Sequence, residues 1–305
     1  MTEPRAVRPD AGALLADVRT RIDARLDEWA ARLARRVPVR DGDAIAYALR
    51  SPGKRVRAAL VIASYQAVGG VSPGIDDVAA AVETVHTYSL VHDDLPCMDD
   101  DALRRGRPTT HVAFDVATAT RAGFVLVPVA AEVLAAAAAE LRLGDAALGR
   151  MAVELFEAGG IAGMVGGQWM DLEAERCRLD LQGLVAVHRG KTGALIRASC
   201  TLGGLAAGAT AERVDALRRF GDDIGLAFQI ADDVLDATGT SAVLGKTAGR
   251  DAVLAKSTYV GLLGVEPARR EAERLSERAV THLAAAGIPT GTLGVLAEYI
   301  ATRTS

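Results

Sequence analysis

Cysteine is scarce in this 305-residue chain, and nothing in its spacing suggests pairing. Cys97, Cys177 and Cys200 are odd in number, widely separated and free of any CxxC pair. That argues against a disulfide framework and against a structural zinc site. Aromatic residues make up only 4% of the chain, so alanine, leucine and valine must build the interior. Such residues lose little rotamer freedom in helices. No long basic stripe accompanies the net charge of −4, which excludes nucleic acid as an expected partner. The first twenty residues carry Glu3, Arg5, Arg8 and Asp10 and have no apolar signal core, so a cytoplasmic protein is expected. The most apolar stretch, Ala122 to Ala139, is interrupted by Pro128 and Glu132. Lipid would penalise the glutamate by a few kcal/mol, so a buried bundle helix is expected there and no stable membrane insertion.

What is present reads as helix. Leu15, Val18, Ile22, Leu26, Trp29 and Leu33 recur at three- and four-residue steps, the mark of an amphipathic helix. Ser51-Pro52-Gly53 breaks the chain, Arg55 to Val68 follows as a helix, and Gly69-Gly70 with Pro73-Gly74 closes it. Ile75 to Leu95 is a long apolar helix ended by Pro96, and a polar loop runs from Cys97 to Thr110. Helical patterns resume at Val112, with breaks near Gly144, Gly159-Gly160, Gly208, Gly239 and Pro289. Two-residue alternation of β-branched residues is missing, as is any low-complexity linker. The expectation is one all-α domain over residues 1–305, with residues 1–12 loose.

Two acidic clusters carry the chemistry. In His92-Asp93-Asp94-Leu95-Pro96-Cys97-Met98-Asp99-Asp100-Asp101, five carboxylates crowd into nine positions at the end of an apolar run. Like charges about 4 Å apart repel by on the order of 4 kcal/mol at an effective dielectric of 20. A solvated acidic loop tolerates this; the end of a buried helix requires cations, and oxygen-only ligands suit Mg²⁺. In Gln229-Ile230-Ala231-Asp232-Asp233-Val234-Leu235-Asp236, Asp232 and Asp236 share one helix face, with Gln229 a turn earlier. Mg²⁺ is held by one or two carboxylates plus substrate phosphates, so two such sets suggest a diphosphate clamped through metal ions.

Basic residues bracket both clusters: Lys54, Arg55 and Arg57 after Pro52-Gly53, then Arg104 and Arg105, Lys191, Lys246 and Lys256. Arginine grips phosphate oxygens bidentately and lysine acts as a point charge. The Gly-Lys-Thr triplets at Gly190 and Gly245 are not phosphate-binding P-loops, because Val185 and Thr240 stand where the earlier glycine belongs.

Taken together, Gly53 to Arg57, His86 to Thr110, Gly166-Gly167-Gln168, Lys191 to Ile196 and Phe228 to Asp236 resemble the trans-isoprenyl diphosphate synthases, and within them the bacterial farnesyl diphosphate synthases. The resemblance runs from about Lys54 to the C-terminus. It implies a bundle of about ten or more helices around a central cavity, and a homodimer. It implies Mg²⁺ as cofactor, three ions with substrate bound, held by Asp93, Asp94 and Asp99 and by Asp232, Asp233 and Asp236. Arg104, Lys191 and Lys246 then hold the allylic diphosphate. Lys54, Arg57, His86 and Arg105 form the isopentenyl diphosphate pocket, and Gly53 and Lys256 join the substrate contacts. Thr192 and Gln229 act near the reacting carbons. His86 lies seven residues, about two turns, before Asp93, so both can face one cavity. His92, His111 and His188 are read as structural.

The implied reaction condenses isopentenyl diphosphate with dimethylallyl or geranyl diphosphate by ionisation, condensation and elimination. Tyr88, five residues before Asp93, is the expected floor for the growing chain. Ser89 is too small to block it. With Pro96 and Cys97 inside the first motif, this pattern in the resembling family is typical of C15 makers; a C20 synthase is the alternative. A class I terpene cyclase and a non-catalytic subunit rank lower, because both acidic sets and a second diphosphate pocket are intact. Two positions depart from the family pattern: Ala58 stands where proline is usual, and Phe124 where aspartate is usual.

Overall fold

The computed structural model describes residues 10–174, 178–239 and 257–303. Cys177, Lys246 and Lys256, and most of the stretch expected to be loose, lie outside the described residues. Helices α1 (Ala11–Leu33), α2 (Val39–Leu49), α3 (Val56–Ala67) and α4 (Ile75–Asp93) precede a minute hairpin, β1 (Leu103–Arg104) with β2 (Arg107–Pro108). Then come α5 (Thr110–Ala113), α6 (Val116–Glu140), α7 (Asp145–Gly159), α8 (Met164–Ala174) and α9 (Leu181–His188). A π-helical turn, Arg189–Gly193, leads into α10 (Ala194–Ala206) and α11 (Ala211–Thr238). The last are α12 (Tyr259–Leu263), α13 (Val265–Ala285) and α14 (Gly291–Thr302). The all-α expectation holds.

Local chemistry explains the boundaries. Asp10, Asp115 and Thr210 cap α1, α6 and α11, each accepting a backbone N–H three residues on. Helix α1 buries every residue of its predicted stripe, Leu15 through Leu33. Helix α4 is buried on almost all sides and packs on α1, α3, α6 and α10, which makes it the central strut. Its first-turn Asp76 and Asp77 favour the helix dipole and are held by Arg21 and Arg25 of α1.

Three details differ from the sequence expectations. Helix α3 starts at Val56 because Arg55 is left-handed, φ 52°. The loop expected from Cys97 to Thr110 contains the hairpin, whose two-residue strands are too short to leave a periodic signal. Helix α2 was not anticipated, because Asp41, Gly42 and Asp43 break up its short apolar pattern. Helix α6 is long and apolar enough to cross a membrane, yet half of that stretch is buried in the bundle, and Glu132 on it pairs with Arg36.

Candidate active site

Each acidic motif sits where a helix delivers it. Helix α4 ends at Asp93, and the chain then folds back: Asp99 N–H donates to the Asp93 carbonyl at 2.8 Å, and Met98 N–H to Leu95 at 2.8 Å. The two carboxylates are thereby neighbours. Burial pushes the Asp93 carboxyl up to about 6, and the Asp99 charge adds to the rise against the opposing pull of Lys191. Asp94 is buried, and its Oδ1 accepts from Arg104 at 2.6 Å. Arg104 also reaches Asp101 at 3.7 Å.

Lys191 reaches this cluster from the π-turn. Its Nζ lies 2.7 Å from Asp171 of α8. Burial opposes its charge, but Asp171, Asp99 and Asp93 outweigh that and raise its pKa. The turn is gripped from two sides by backbone. A Cβ on Gly167 would lie 2.0 Å from Lys191 N, and one on Gly225 of α11 would lie 2.8 Å from the Gly193 Cα. Only glycine permits those approaches, so Gly167 and Gly225 serve to seat the turn that carries Lys191 and Thr192. Inserted π-turns concentrate at functional sites.

On α11, Asp232 is half-buried and Asp236 buried, four residues apart on one face, with Gln229 half-buried a turn earlier. Asp233 points elsewhere: its Oδ2 accepts from Tyr259 N–H at 2.7 Å and lies 3.4 Å from His188 Nε2. It thus fastens α12 to α11, and His188, read as structural, does structural work beside it.

The residues expected to bind isopentenyl diphosphate come together between α3, α4 and the hairpin. Arg57 Nη1 and His86 Nε2 are 3.3 Å apart. Burial first, then Arg57 and Arg105, hold the His86 pKa well below its ordinary value, so the ring is neutral and accepts from Arg57. Burial first lowers the pKa of Lys54, Arg57 and Arg105; Arg303 and Arg105 lower the first two further, and Arg55 and Arg104 lower Arg105. Arg105 donates to the Pro52 carbonyl, and its guanidinium lies where a side chain on Gly53 would stand. Asp232 is an electrostatic neighbour of both Lys54 and Arg57, which ties this pocket to the second acidic motif.

Arg303, beyond the end of α14, was missed from the sequence. Its Nη2 lies 2.5 Å from Asp232 Oδ1 and donates to the Phe228 carbonyl at 3.0 Å, and its guanidinium stacks 3.7 Å from the Phe228 ring. No local motif marks it. Asp171 was also missed, although an acid three residues after Gln168 on a buried helix face was a usable signal. The two departures find uses here. Ala58 N–H, which proline would lack, donates to Glu83 Oε1 at 3.2 Å. Phe124 meets His92 edge-on at 5.4 Å, and His92 meets Tyr88 in the same way at 5.0 Å.

That aromatic ladder places Tyr88 in the seam between α4 and α6. His86, Ser89 and Asp93 form a different stripe of α4, spaced three, four and seven residues apart. Ser89 is buried on it.

The donor set fits a hard divalent cation, because every candidate ligand is a carboxylate oxygen. Among the described residues no three carboxylate, histidine or cysteine groups converge to cage an ion unaided. Mg²⁺ bridged by substrate phosphates has that requirement.

Residues 42–285 match the family model described as polyprenyl synthetase. A farnesyl diphosphate synthase of Escherichia coli (strain K12) is 47% identical over 255 residues, covering 82% of this chain and 85% of that protein. The large subunit 1 of a heterodimeric geranylgeranyl pyrophosphate synthase from Arabidopsis thaliana is 42% identical, covering 88% of this chain and 73% of that one. The crystal structure of a Helicobacter pylori geranyltransferase complexed with magnesium and isoprenyl diphosphate superposes with a TM-score of 0.79 at 30% identity, covering 97% of this chain and 98% of that chain.

Proposed function

Because the chain belongs to the polyprenyl synthetase family, we propose that it is a short-chain trans-prenyltransferase that condenses isopentenyl diphosphate with dimethylallyl or geranyl diphosphate and releases mainly farnesyl diphosphate. The observation that carries the residue assignment is the pocket of Lys54, Arg57, Arg105 and Arg303 around a neutral His86. Burial and the neighbouring cations Arg105 and Arg303 lower the pKa of Lys54 and Arg57, a crowding that an anion would relieve, and this pocket is separate from the carboxylates that face Lys191. A cyclase, with one diphosphate to bind, has no use for it.

Asp93, Asp94 and Asp99 on one side and Asp232 and Asp236 on the other would hold Mg²⁺, with three ions as the working stoichiometry. When bound, the metal neutralises charge developing on the leaving diphosphate. Arg104 and Lys191 bind that diphosphate, Lys54, Arg57 and Arg105 bind the isopentenyl diphosphate, and Thr192 and Gln229 flank the reacting carbons. Lys246 and Lys256 remain assigned to the allylic and substrate contacts. The allylic C1–O bond breaks with its electron pair leaving on diphosphate. The isopentenyl double bond attacks C1, and a proton passes from C2 of the former isopentenyl unit to a diphosphate oxygen. The apolar interior excludes water from the cation.

A C20 product is the second reading, favoured by the placement of Tyr88 in the α4–α6 seam while small Ser89 lies on the stripe leading from Asp93. We place the enzyme in the cytoplasm as a single domain. We also propose that it forms a homodimer through the outer faces of α6 and α7, where Val116, Phe124 and Val153 stand exposed. Incubation with labelled isopentenyl diphosphate and each starter, followed by chromatography of the dephosphorylated products, tests the reaction and its length. Absence of any starter-dependent condensation would overturn it.

A further inference from the structure

Gln168 has no assigned role, yet its surroundings are unusual. The residue is 6% exposed, and both polar atoms of its amide, Oε1 and Nε2, lack a hydrogen-bond partner among the described residues. Buried amides in folded chains are ordinarily bonded, and leucine or methionine would fill such a position without a desolvation cost. A glutamine kept there answers to something other than packing.

Its position says what. Met164, Gln168 and Asp171 form one stripe of α8, four and then three residues apart. Met164 is buried in the main apolar core. Asp171 grips Lys191, which faces Asp93 and Asp99. By the standard rise, Gln168 stands about 6 Å along the axis from the apolar end and about 4.5 Å from the charged end. Gly167, immediately before it, is pressed against the backbone of Lys191, so the amide lies beside the π-turn that carries Thr192. It therefore occupies the level at which the cavity passes from diphosphate contacts to hydrocarbon contacts. In an allylic diphosphate, that level belongs to the C1–C3 allyl unit.

We propose that Gln168 is a catalytic residue for the allylic starter, its carbonyl oxygen presented to C1–C3 to stabilise the positive charge that develops as diphosphate departs. The amide forms and breaks no bond. The C1–O bond breaks, its electron pair leaves on diphosphate, and the oxygen dipole of Gln168 offsets the charge left on carbon. Preorganised dipoles in a water-excluded site act strongly on such charge. The inference rests on the prenyltransferase reading.

The test is Gln168→Leu beside Gln168→Glu, assayed with isopentenyl and geranyl diphosphates, with thermal midpoints recorded. The expected result for Gln168→Leu is a kcat about a hundredfold lower, both KM values within about threefold, and a thermal midpoint equal to or above wild type. Such a KM-against-kcat split marks an interaction made only in the transition state. Gln168→Glu keeps an oxygen at the same reach and recovers part of the lost kcat. An unchanged kcat in Gln168→Leu, a rise in KM that accounts for the loss, or no recovery in Gln168→Glu would overturn the proposal. An inactive wild type would instead overturn the functional reading.

Discussion

Glu83 offers a severe test of how the proposed diphosphate pocket is built. It lies in the middle of α4, 3% exposed. Its Oε2 accepts from Arg55 Nη1 at 3.1 Å and its Oε1 from Ala58 N–H at 3.2 Å. Arg55 is itself buried, and its left-handed backbone starts α3 between Lys54 and Arg57. In Glu83→Ala the guanidinium keeps only Asp23, at 2.8 Å, and the Ser51 carbonyl, at 3.0 Å. Breaking a buried ion pair from one side costs about 3–5 kcal/mol. Asp23 compensates in part, while the orphaned Ala58 N–H adds about 1 kcal/mol. The net expectation is a loss of roughly 3–4 kcal/mol. For a chain of this size that lowers the melting midpoint by roughly 5–6 °C. Glu83→Gln, which keeps the shape and an acceptor, should cost less than half as much. Because α3 loses its anchor, the KM for isopentenyl diphosphate should rise along with the instability. Differential scanning calorimetry and initial-rate kinetics read both effects. A midpoint within about 3 °C of wild type with unchanged KM would show that Asp23 and Ser51 hold Arg55 unaided, and the reasoning would fail.

Other substitutions probe the chemistry directly. Asp232→Ala should lose two to three decades of turnover, roughly 3–4 kcal/mol, with the helical circular dichroism spectrum retained; near-normal activity would remove Asp232 from the metal site. Arg57→Ala should raise the KM for isopentenyl diphosphate with little change in kcat, because its proposed contacts are to the group that does not leave; a change confined to the starter would mean the two pockets are exchanged. If Tyr88 floors the C15 product from its place in the α4–α6 seam, Tyr88→Ala should shift product toward C20 or beyond. An added isoprene unit gains about 4 kcal/mol from five buried carbons, and unchanged chromatograms would place the floor on Phe114 or Phe124. The raised pKa of Asp93, about 6, sets a pH test on the metal-free protein. Between about pH 4 and 6 the folded state keeps a proton that the unfolded chain has released, so stability falls as pH rises through that window. Mg²⁺ and diphosphate require the ionised carboxylate, so their calorimetric affinity should rise over the same window; equal affinity at pH 5 and 7 would contradict the assignment.

The parts legible in the sequence are those whose signal is local. The stripe of α1, the apolar length of α4 and the charge density after Asp93 each lie within one run of residues, and the structure places them as read. Asp232 and Asp236 share a face because helix geometry demands it. Asp233 has the same chemistry but a different task, since the partner that claims it, Tyr259 N–H, lies 26 residues away. Arg303 reaches Asp232 from the far end of the chain, and Glu83 is hidden inside an apolar run. Nothing local to either residue announces a long-range contact. Tyr88 was placed correctly on α4, but which way it turned depended on a ring from another helix, Phe124 through His92.

The backbone grip on the π-turn also bears on how a mutational scan of this enzyme would look. Gly167 and Gly225 carry no side chain that could touch a substrate, yet any residue larger than glycine there collides with the backbone of Lys191 or Gly193. A scan scored by activity would therefore colour both positions as intensely as the aspartates. A reader of that map who equated intolerance with contact would draw an active site two helices too wide. Conversely, these glycines give a designer a lever: Gly225→Ala would displace Lys191 without altering a single charged group, separating the placement of the lysine from its presence.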